Sequence, residues 1–146
     1  MTFRALLNAT DDAMFLIDTK GIFLALNDTL ANRLSKSKED LLGKCVFDLL
    51  PPESATLRYN WVKHAIQTGE SIQLEDKRDG LWLENMIYPI IDNTGSVTML
   101  AICSRNITDR KYSEQERENL IEQLQEYIQR LRPSADLSLY VRPVKR

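Results

Sequence analysis

The sequence is poor in the residues that build metal sites and disulfide frameworks. It has two cysteines and one histidine among 146 residues. One histidine and two cysteines far apart in the chain cannot supply the ligand set of a structural zinc site. In a reducing compartment, Cys45 and Cys103 are expected to be buried free thiols. The sequence therefore predicts no metal site and no disulfide bond.

Long apolar runs and an excess of positive charge are also missing. No uncharged apolar stretch approaches the roughly 18–20 residues that a bilayer-spanning helix needs, and the N-terminus lacks the pattern of a signal peptide. We therefore expect a cytoplasmic protein with no membrane partner. The formal net charge of −2 argues against the basic surface of a nucleic-acid-binding protein.

Catalytic residues are scarce as well. Ala65 follows His64, the only histidine, whereas the phosphoacceptor of a histidine kinase usually stands before a glutamate. The sequence has no glycine-rich nucleotide-binding motif. Its paired carboxylates, such as Asp11 and Asp12, are adjacent in sequence, so they diverge on a helix or a strand. We therefore expect no enzymatic activity.

The sequence does contain a regular succession of short apolar segments separated by turn residues. Strands are predicted at residues 14–18, 22–26, 71–78, 81–91 and 96–107. Asn27 and Ser37 are typical N-caps and predict two short helices. Between Pro52 and Gly69, a longer helix is predicted over residues 53–67. Runs of strands, then helices, then strands indicate an α+β fold, in which an antiparallel sheet carries helices on one face.

A long polar helix is predicted over residues 108–132, after a domain of residues 1–107. Its apolar residues recur at the alternating spacing of a coiled coil, at Ile121, Leu124, Ile128 and Leu131. This row predicts a parallel partner helix and therefore a homodimer. Two heptads are marginal in water, so the domain should contribute to dimerisation. Residues 133–146 are left as a tail, in which an edge strand is predicted at residues 137–141.

Four segments in this order resemble the PAS family of sensory domains over residues 3–111. They read AMFLIDTKGIFLALND, SKEDLLGKCVFDLLPPE, DGLWLENMIYPIID and GSVTMLAICSRNITDRK. The resemblance implies a five-stranded antiparallel sheet of order 2-1-5-4-3, with helices packed over a central cavity. It also implies that the trailing helix is a signalling helix, of the kind that leads to a histidine kinase of a two-component system, a cyclase or another effector.

The junction between the last strand and this helix departs from the family's pattern. The family often ends the strand with Asp-Ile-Thr, where this sequence has Asn106, Ile107 and Thr108. Asparagine can hydrogen-bond but cannot form the ion pair expected of that aspartate. We expect a differently connected signal junction at Asn106, Thr108, Asp109 and Arg110.

Haem and flavin are cofactors of some proteins that the chain resembles. Haem-binding relatives place the axial histidine near the start of the long helix, whereas His64 lies more than a turn later and should point elsewhere. Flavin-binding relatives carry their cysteine in a polar run, whereas Cys45 stands one position early in GKCVFDLLP, without those neighbours. We therefore expect neither haem nor flavin.

A small organic ligand remains as the predicted signal. It would occupy a mostly apolar pocket, lined by Leu57, Trp61, His64, Ala65, Trp82, Tyr88 and Ser104. The chain would then be a cytoplasmic sensory module that relays ligand binding through its C-terminal helix. A second interpretation stays open, in which Trp61 and Trp82 fill the core and the domain is a ligand-free dimerisation module. The two differ in whether a cavity separates the long helix from the sheet.

Overall fold

The structure, a computed structural model, describes residues 2–132, which form two compact units. The first, called the body here, ends at Ile107, and the second begins at Thr108. The predicted tail at residues 133–146, with its edge strand, lies outside the described residues.

The body contains a sheet and a set of mostly short helices. The strands are β1 (Ala13–Asp18), β2 (Phe23–Leu26), β3 (Ile72–Arg78), β4 (Leu81–Ile91) and β5 (Val97–Asn106). The helices are α1 (Thr2–Asn8), α2 (Asp28–Arg33), α3 (Lys38–Leu41) and α4 (Pro52–Thr68), with a 3₁₀ turn at Val46–Leu49. The second unit is the helix α5 (Thr108–Arg130). The sequence did not predict α1 or the 3₁₀ turn.

The strands form one antiparallel sheet in the order β2-β1-β5-β4-β3, which confirms the predicted topology. Tight turns join β1 to β2, β3 to β4 and β4 to β5, so each of these pairs is adjacent in space. The pairing of β1 with β5 joins the β1–β2 hairpin to strands β3, β4 and β5, and it places Ala13 opposite Ser104.

The two faces of the sheet have different coverings. On β4, Leu83, Asn85 and Ile87 are 1%, 3% and 4% exposed. These residues alternate with Trp82 and Tyr88, which lie on the other side of the strand, because neighbouring strand residues point to opposite faces. The face of Leu83, called the inner face here, packs against the helices, and the face of Tyr88 is called the outer face.

Helix α4 lies over the inner face and is delimited as its sequence predicts. Pro52 occupies the first turn, where its missing N–H is not needed. Gly69 ends the helix in the left-handed conformation, with φ of 67°, and its N–H donates to the Ala65 carbonyl at 2.9 Å. Val62 and Ala65 are buried in the core beneath the helix.

Asn27 connects three elements through one buried amide. It is 1% exposed, and its Nδ2 donates to the carbonyls of Leu7 and Asp12, both at 2.9 Å. Its Oδ1 accepts from the N–H groups of Met14 at 3.0 Å and Leu30 at 3.1 Å. The side chain therefore caps α2 while it binds the ends of α1 and β1.

We predict that Asn27→Ala lowers the free energy of unfolding by about 2–4 kcal/mol, because it removes a helix cap and leaves buried backbone groups without partners. Urea denaturation followed by circular dichroism measures this loss. Asn32→Ala, at an exposed position of α2, is the matched control and should change stability by less than about 0.5 kcal/mol. Equal effects of the two substitutions would contradict the role assigned to Asn27.

Candidate functional site

A small cavity lies between α4 and the inner face of the sheet. Its apolar lining includes Phe15, Ile17, Phe47, Trp61, Ile87 and Ile102. The enclosed volume is about 30 Å³, which is room for one or two water molecules. Pockets that hold drug-sized ligands measure about 300–1,000 Å³. In this conformation the core is therefore nearly filled.

Beside this cavity, a charged pair connects helix α4 to strand β3. Arg58 Nη2 on α4 donates to Asp76 Oδ2 on β3. Asn85 Nδ2 on β4 donates to the other carboxylate oxygen at 2.7 Å. The side chains of Arg58 and Asp76 are 17% and 16% exposed, so water weakens their attraction less than it would at the surface.

Two further arginines lie in the adjoining space, which has a volume of about 20 Å³. Arg33 Nη1 donates to the Ser104 carbonyl at 3.2 Å and to its Oγ at 3.1 Å. Arg78 lies 4.0 Å from the carboxylate of Asp79, which is 88% exposed. Burial lowers the pKa of Arg33 and of Arg78, and the positive charge of Arg58 further lowers the pKa of Arg78.

The structure brings together only part of the predicted ligand pocket. Trp61 lines the cavity, Ser104 lines the adjoining space, and Ala65 is fully buried in the core. Leu57 is 48% exposed, and His64 is exposed as well. These two residues face away from the core because α4 buries only the side that carries Val62 and Ala65.

Two further residues of the predicted ligand pocket, Trp82 and Tyr88, lie away from the cavity. They lie on the outer face, so they do not share the cavity with Trp61. The sequence could not choose between the two faces of β4, because both carry large apolar residues. It also missed Arg58 and Asp76, since a charged side chain on a helix or an edge strand usually faces solvent. The placement of Asp76 two residues after Leu74 was the available signal.

An apolar groove runs along the outer face beside α1. Its lining includes Leu7, Met14, Leu16, Ala25, Tyr88 and Ala101, and its volume is about 260 Å³. Apolar surface of this kind on a sheet commonly marks a contact with another protein or segment.

Both cysteines are free and partly buried. Cys103 lies at the edge of the groove, and its Sγ donates to Asp12 Oδ2 at 3.7 Å. The same carboxylate accepts from Arg105 Nη2 at 3.1 Å. Burial, and next the negative charge of Asp12, raise the pKa of the Cys103 thiol. At neutral pH this thiol is therefore protonated and a weak nucleophile.

We predict that Asp12→Asn increases the rate at which iodoacetamide alkylates Cys103, measured by mass spectrometry at pH 8 in a Cys45→Ser background. Removal of the carboxylate charge lowers the pKa of the thiol and raises its thiolate fraction, by up to about tenfold for each pKa unit. Asp11→Asn, at the exposed neighbouring position, should leave the rate unchanged. A rate that falls in Asp12→Asn would contradict this electrostatic account.

The predicted signal junction lies where β5 ends and α5 begins. One residue, Ile107, separates the two elements. Ile107 is 4% exposed, and its N–H donates to the Trp82 carbonyl at 2.9 Å. Around it, Asn106, Asp109 and Arg110 are exposed, and Thr108 is partly buried. No turn separates the strand from the helix. Because Ile107 is buried and hydrogen-bonded to β4, it is the residue that anchors the junction, and the sequence analysis did not identify it.

The predicted dimer residues form a row along α5 and its end. Ile121, Leu124, Ile128 and Leu131 are 46%, 60%, 50% and 63% exposed. The flanking Leu120 and Tyr127 are exposed to a similar extent. Ion pairs between residues four apart, such as Glu126 with Arg130 at 3.6 Å, support the helix on its polar side.

Over residues 2–132, no group of three or more histidine, cysteine, aspartate and glutamate side chains is arranged to hold a metal ion. The same residues include no helix with the length and hydrophobicity needed to cross a bilayer.

A five-stranded antiparallel sheet in this order, with helices over one face and a small inner cavity, defines a PAS fold. A family model described as the PAS fold matches residues 7–112. The chain therefore belongs to the PAS-fold family, whose domains are sensory modules rather than catalytic ones.

Several solved structures share this fold. A domain of an HTR-like protein from Haloarcula marismortui has 26% identity and a TM-score of 0.60, and the match covers 68% of this chain and 100% of that one. The PAS domain of a protein from Colwellia psychrerythraea has 24% identity and a TM-score of 0.62, covering 74% and 97%. A sensory box sensor histidine kinase from Vibrio cholerae has 18% identity and a TM-score of 0.61, covering 73% and 90%. None of the curated proteins compared matches the chain.

We predict that Asp76→Asn destabilises the body more than Arg58→Met does. Asp76→Asn leaves the guanidinium groups of Arg58 and Arg78 without the carboxylate that attracts both and should cost about 3–5 kcal/mol. After Arg58→Met, Asp76 keeps its bond from Asn85 and the attraction of Arg78, so the loss should be about 1–3 kcal/mol. Urea denaturation measures both values.

Glu70→Gln, an exposed change of the same charge, is the control for Asp76→Asn and should shift stability by less than about 0.5 kcal/mol. If Arg58→Met were the more costly of the two cavity substitutions, the excess of positive charge on the inner face would be contradicted.

Proposed function

We propose that the chain is a cytoplasmic PAS sensory module that works as a homodimer and passes a change in its body to a partner through α5. The observation that carries this proposal is the exposed apolar row of α5, from Ile121 to Leu131. The protein has no catalytic role in this account, and its output lies in how α5 pairs.

A second copy of the chain is the partner that this row fits best. Leu124 and Ile128 repeat at coiled-coil spacing, and the same row on another copy is complementary to it in shape and hydrophobicity. A parallel pair would cover these side chains, which the single chain leaves exposed. The charged residues on the rest of α5 would stay in water.

The outer-face groove gives the same second copy a further apolar surface. Two heptads bury too little area to hold two helices together at low concentration. Leu16, Tyr88 and Ala101 lie on a face that the helices over the inner face do not cover. We infer that the body of a second copy covers part of this groove in the dimer.

The junction supports a relay between body and helix. Ile107 is buried and bonded to the β4 backbone, so a shift of β4 or β5 moves the residue from which α5 starts. Such a shift changes the rotation or height of α5 and with it the packing of a paired helix. The partner that reads this change would be a histidine kinase, a cyclase or another effector, as the sensor kinase with this fold suggests.

A ligand-free dimerisation module is the second candidate function. The observation that favours it is the cavity volume of about 30 Å³ beside Trp61. In that case the body would respond to contact with another protein, and the same α5 pairing would follow.

We predict that Ile128→Glu converts the dimer to a monomer, because a carboxylate at the centre of the apolar row would be buried without a partner. Sedimentation velocity measures the change, which should be at least about a hundredfold in the dissociation constant. Gln123→Glu adds the same charge on the opposite side of α5 and should leave the dimer intact. A wild-type chain that sediments as a monomer at high concentration would contradict the proposal.

A further inference from the structure

The inner face of the sheet holds more positive charge than its own acids balance. Arg33, Arg58 and Arg78 line one space, and none of its lining residues is acidic. Asp76 binds Arg58 from beside this space. Arg33 donates to the neutral Ser104, and the acid that attracts it, Asp12, is already paired with Arg105. The carboxylate near Arg78 is exposed, so water screens its charge. Guanidinium groups stay protonated in proteins, which makes the excess positive charge permanent.

Two buried polar atoms at this place have no partner within residues 2–132. They are Arg58 Nε and Asn85 Oδ1. Asn85 is 3% exposed, and its amide orientation is fixed, because the carboxylate of Asp76 accepts hydrogen bonds and must face Nδ2. Both residues line the same space, so the site presents an unused donor and an unused acceptor. A buried group left without a hydrogen bond is costly, so each atom is expected to bind a partner, either water or a ligand.

We propose that this space binds a small hydroxycarboxylic acid. Its carboxylate would lie between Arg58 and Arg78, and its hydroxyl would donate to Asn85 Oδ1. Planar guanidinium groups suit a carboxylate, which accepts two hydrogen bonds side by side. The inference rests on the proposed sensory function, because it names the class of ligand that the body would sense.

The rest of the lining favours an organic acid over an inorganic anion. Beyond the arginines, the walls are apolar and include Phe15, Val46, Leu49 and Leu50. A hydrocarbon portion attached to the carboxylate would bury apolar surface against them. Phosphate or sulfate would satisfy the charge but would leave these walls facing a strongly hydrated ion.

This space and the cavity beside Trp61 are together too small for the ligand in this conformation, so binding must be accompanied by a movement of the protein. The two enclosed volumes are about 20 Å³ and 30 Å³, less than a small organic acid needs. Binding therefore requires α4, which carries Arg58 and Trp61, to shift away from the sheet. Because both belong to the helix that covers the inner face, occupancy of the site would move α4 against the sheet.

The test is a titration of the ¹⁵N-labelled full chain, followed through the backbone amides, the Nε–H signals of arginine and the side-chain amide of Asn85. The probes are lactate in both enantiomers and malate, with lactamide as the uncharged analogue of lactate and propionate as its analogue without a hydroxyl. We expect saturable shifts at Arg58 and Asn85 with at least one of the two hydroxy acids. Propionate should bind more weakly than lactate where lactate binds, and lactamide should not bind.

Arg78→Gln and Lys77→Gln form a matched pair of variants on β3. Lys77 lies on the outer face over the Trp82 ring, so Lys77→Gln should not alter affinity. Arg78→Gln should weaken acid binding at least about tenfold. Its melting temperature should be unchanged or higher, because one of three like charges is gone. A purely structural role for Arg78 would instead lower the melting temperature and leave affinity unchanged.

Four results would overturn the proposal. The first three are no saturable shift with lactate or malate, equal binding of lactate and lactamide, and full affinity in Arg78→Gln. Inorganic phosphate that binds while both acids do not would also overturn it. Sedimentation of the same samples separates this failure from that of the proposed function. An intact dimer that binds neither acid would contradict the ligand proposal and favour the ligand-free module. A monomer that binds the acids would contradict only the proposed relay through α5.

Discussion

The ion pair between Arg58 and Asp76 is the interaction on which the arrangement of α4 over the sheet depends. Burying a guanidinium and a carboxylate costs several kcal/mol of hydration for each ion, and only close, well-oriented contact offsets that cost. Asp76 meets this requirement because Asn85 supplies a second donor. The pair therefore fixes the position of α4 more narrowly than apolar packing alone would.

The need to compensate buried charge also explains why the inner face is both the hydrophobic core and a candidate ligand site. Arg33 and Arg78 lie close enough to the pair for their positive charges to act on one another. A purely structural core would not need arginine side chains at these positions. The nearly filled cavity and the excess positive charge of the inner face are compatible if the site opens when it binds an anion. The accompanying movement of α4 would then be the signal.

The continuity of β5 and α5 gives that signal a route. Ile107, the residue before α5, is buried and bonded to β4, so a shift of the sheet would reach the point where α5 begins. The apolar row further along α5 requires a partner, and a second copy of the chain fits it. In this proposal, sensing would arise from the charged inner face and dimerisation from the amphipathic helix, which are two separate features.

Local sequence signals predicted most of the fold and little of the site. Gly69 and Asp79–Gly80 mark turns through backbone chemistry that acts over a few residues, so the ends of α4 and the hairpins were predictable. The choice between the faces of β4 was not, because Trp82 and Leu83 are both apolar and only packing distinguishes them. Arg58 and Asp76 are eighteen residues apart, and their pairing depends on how α4 crosses the sheet. Helix α1 was missed since its attachment to Asn27 is equally non-local.

The central claim is that α5 pairs in parallel with α5 of a second copy. Distances between nitroxide labels, measured by pulsed electron paramagnetic resonance, test it directly. One label would be placed at residue 116 and, in a separate sample, at residue 130, in a background without Cys45 and Cys103. Both positions lie on the polar side of the helix, at equivalent heptad positions two heptads apart. The account predicts short and nearly equal distances at the two sites. A long distance at residue 116 with a short one at residue 130, or no dipolar coupling at either, would contradict it.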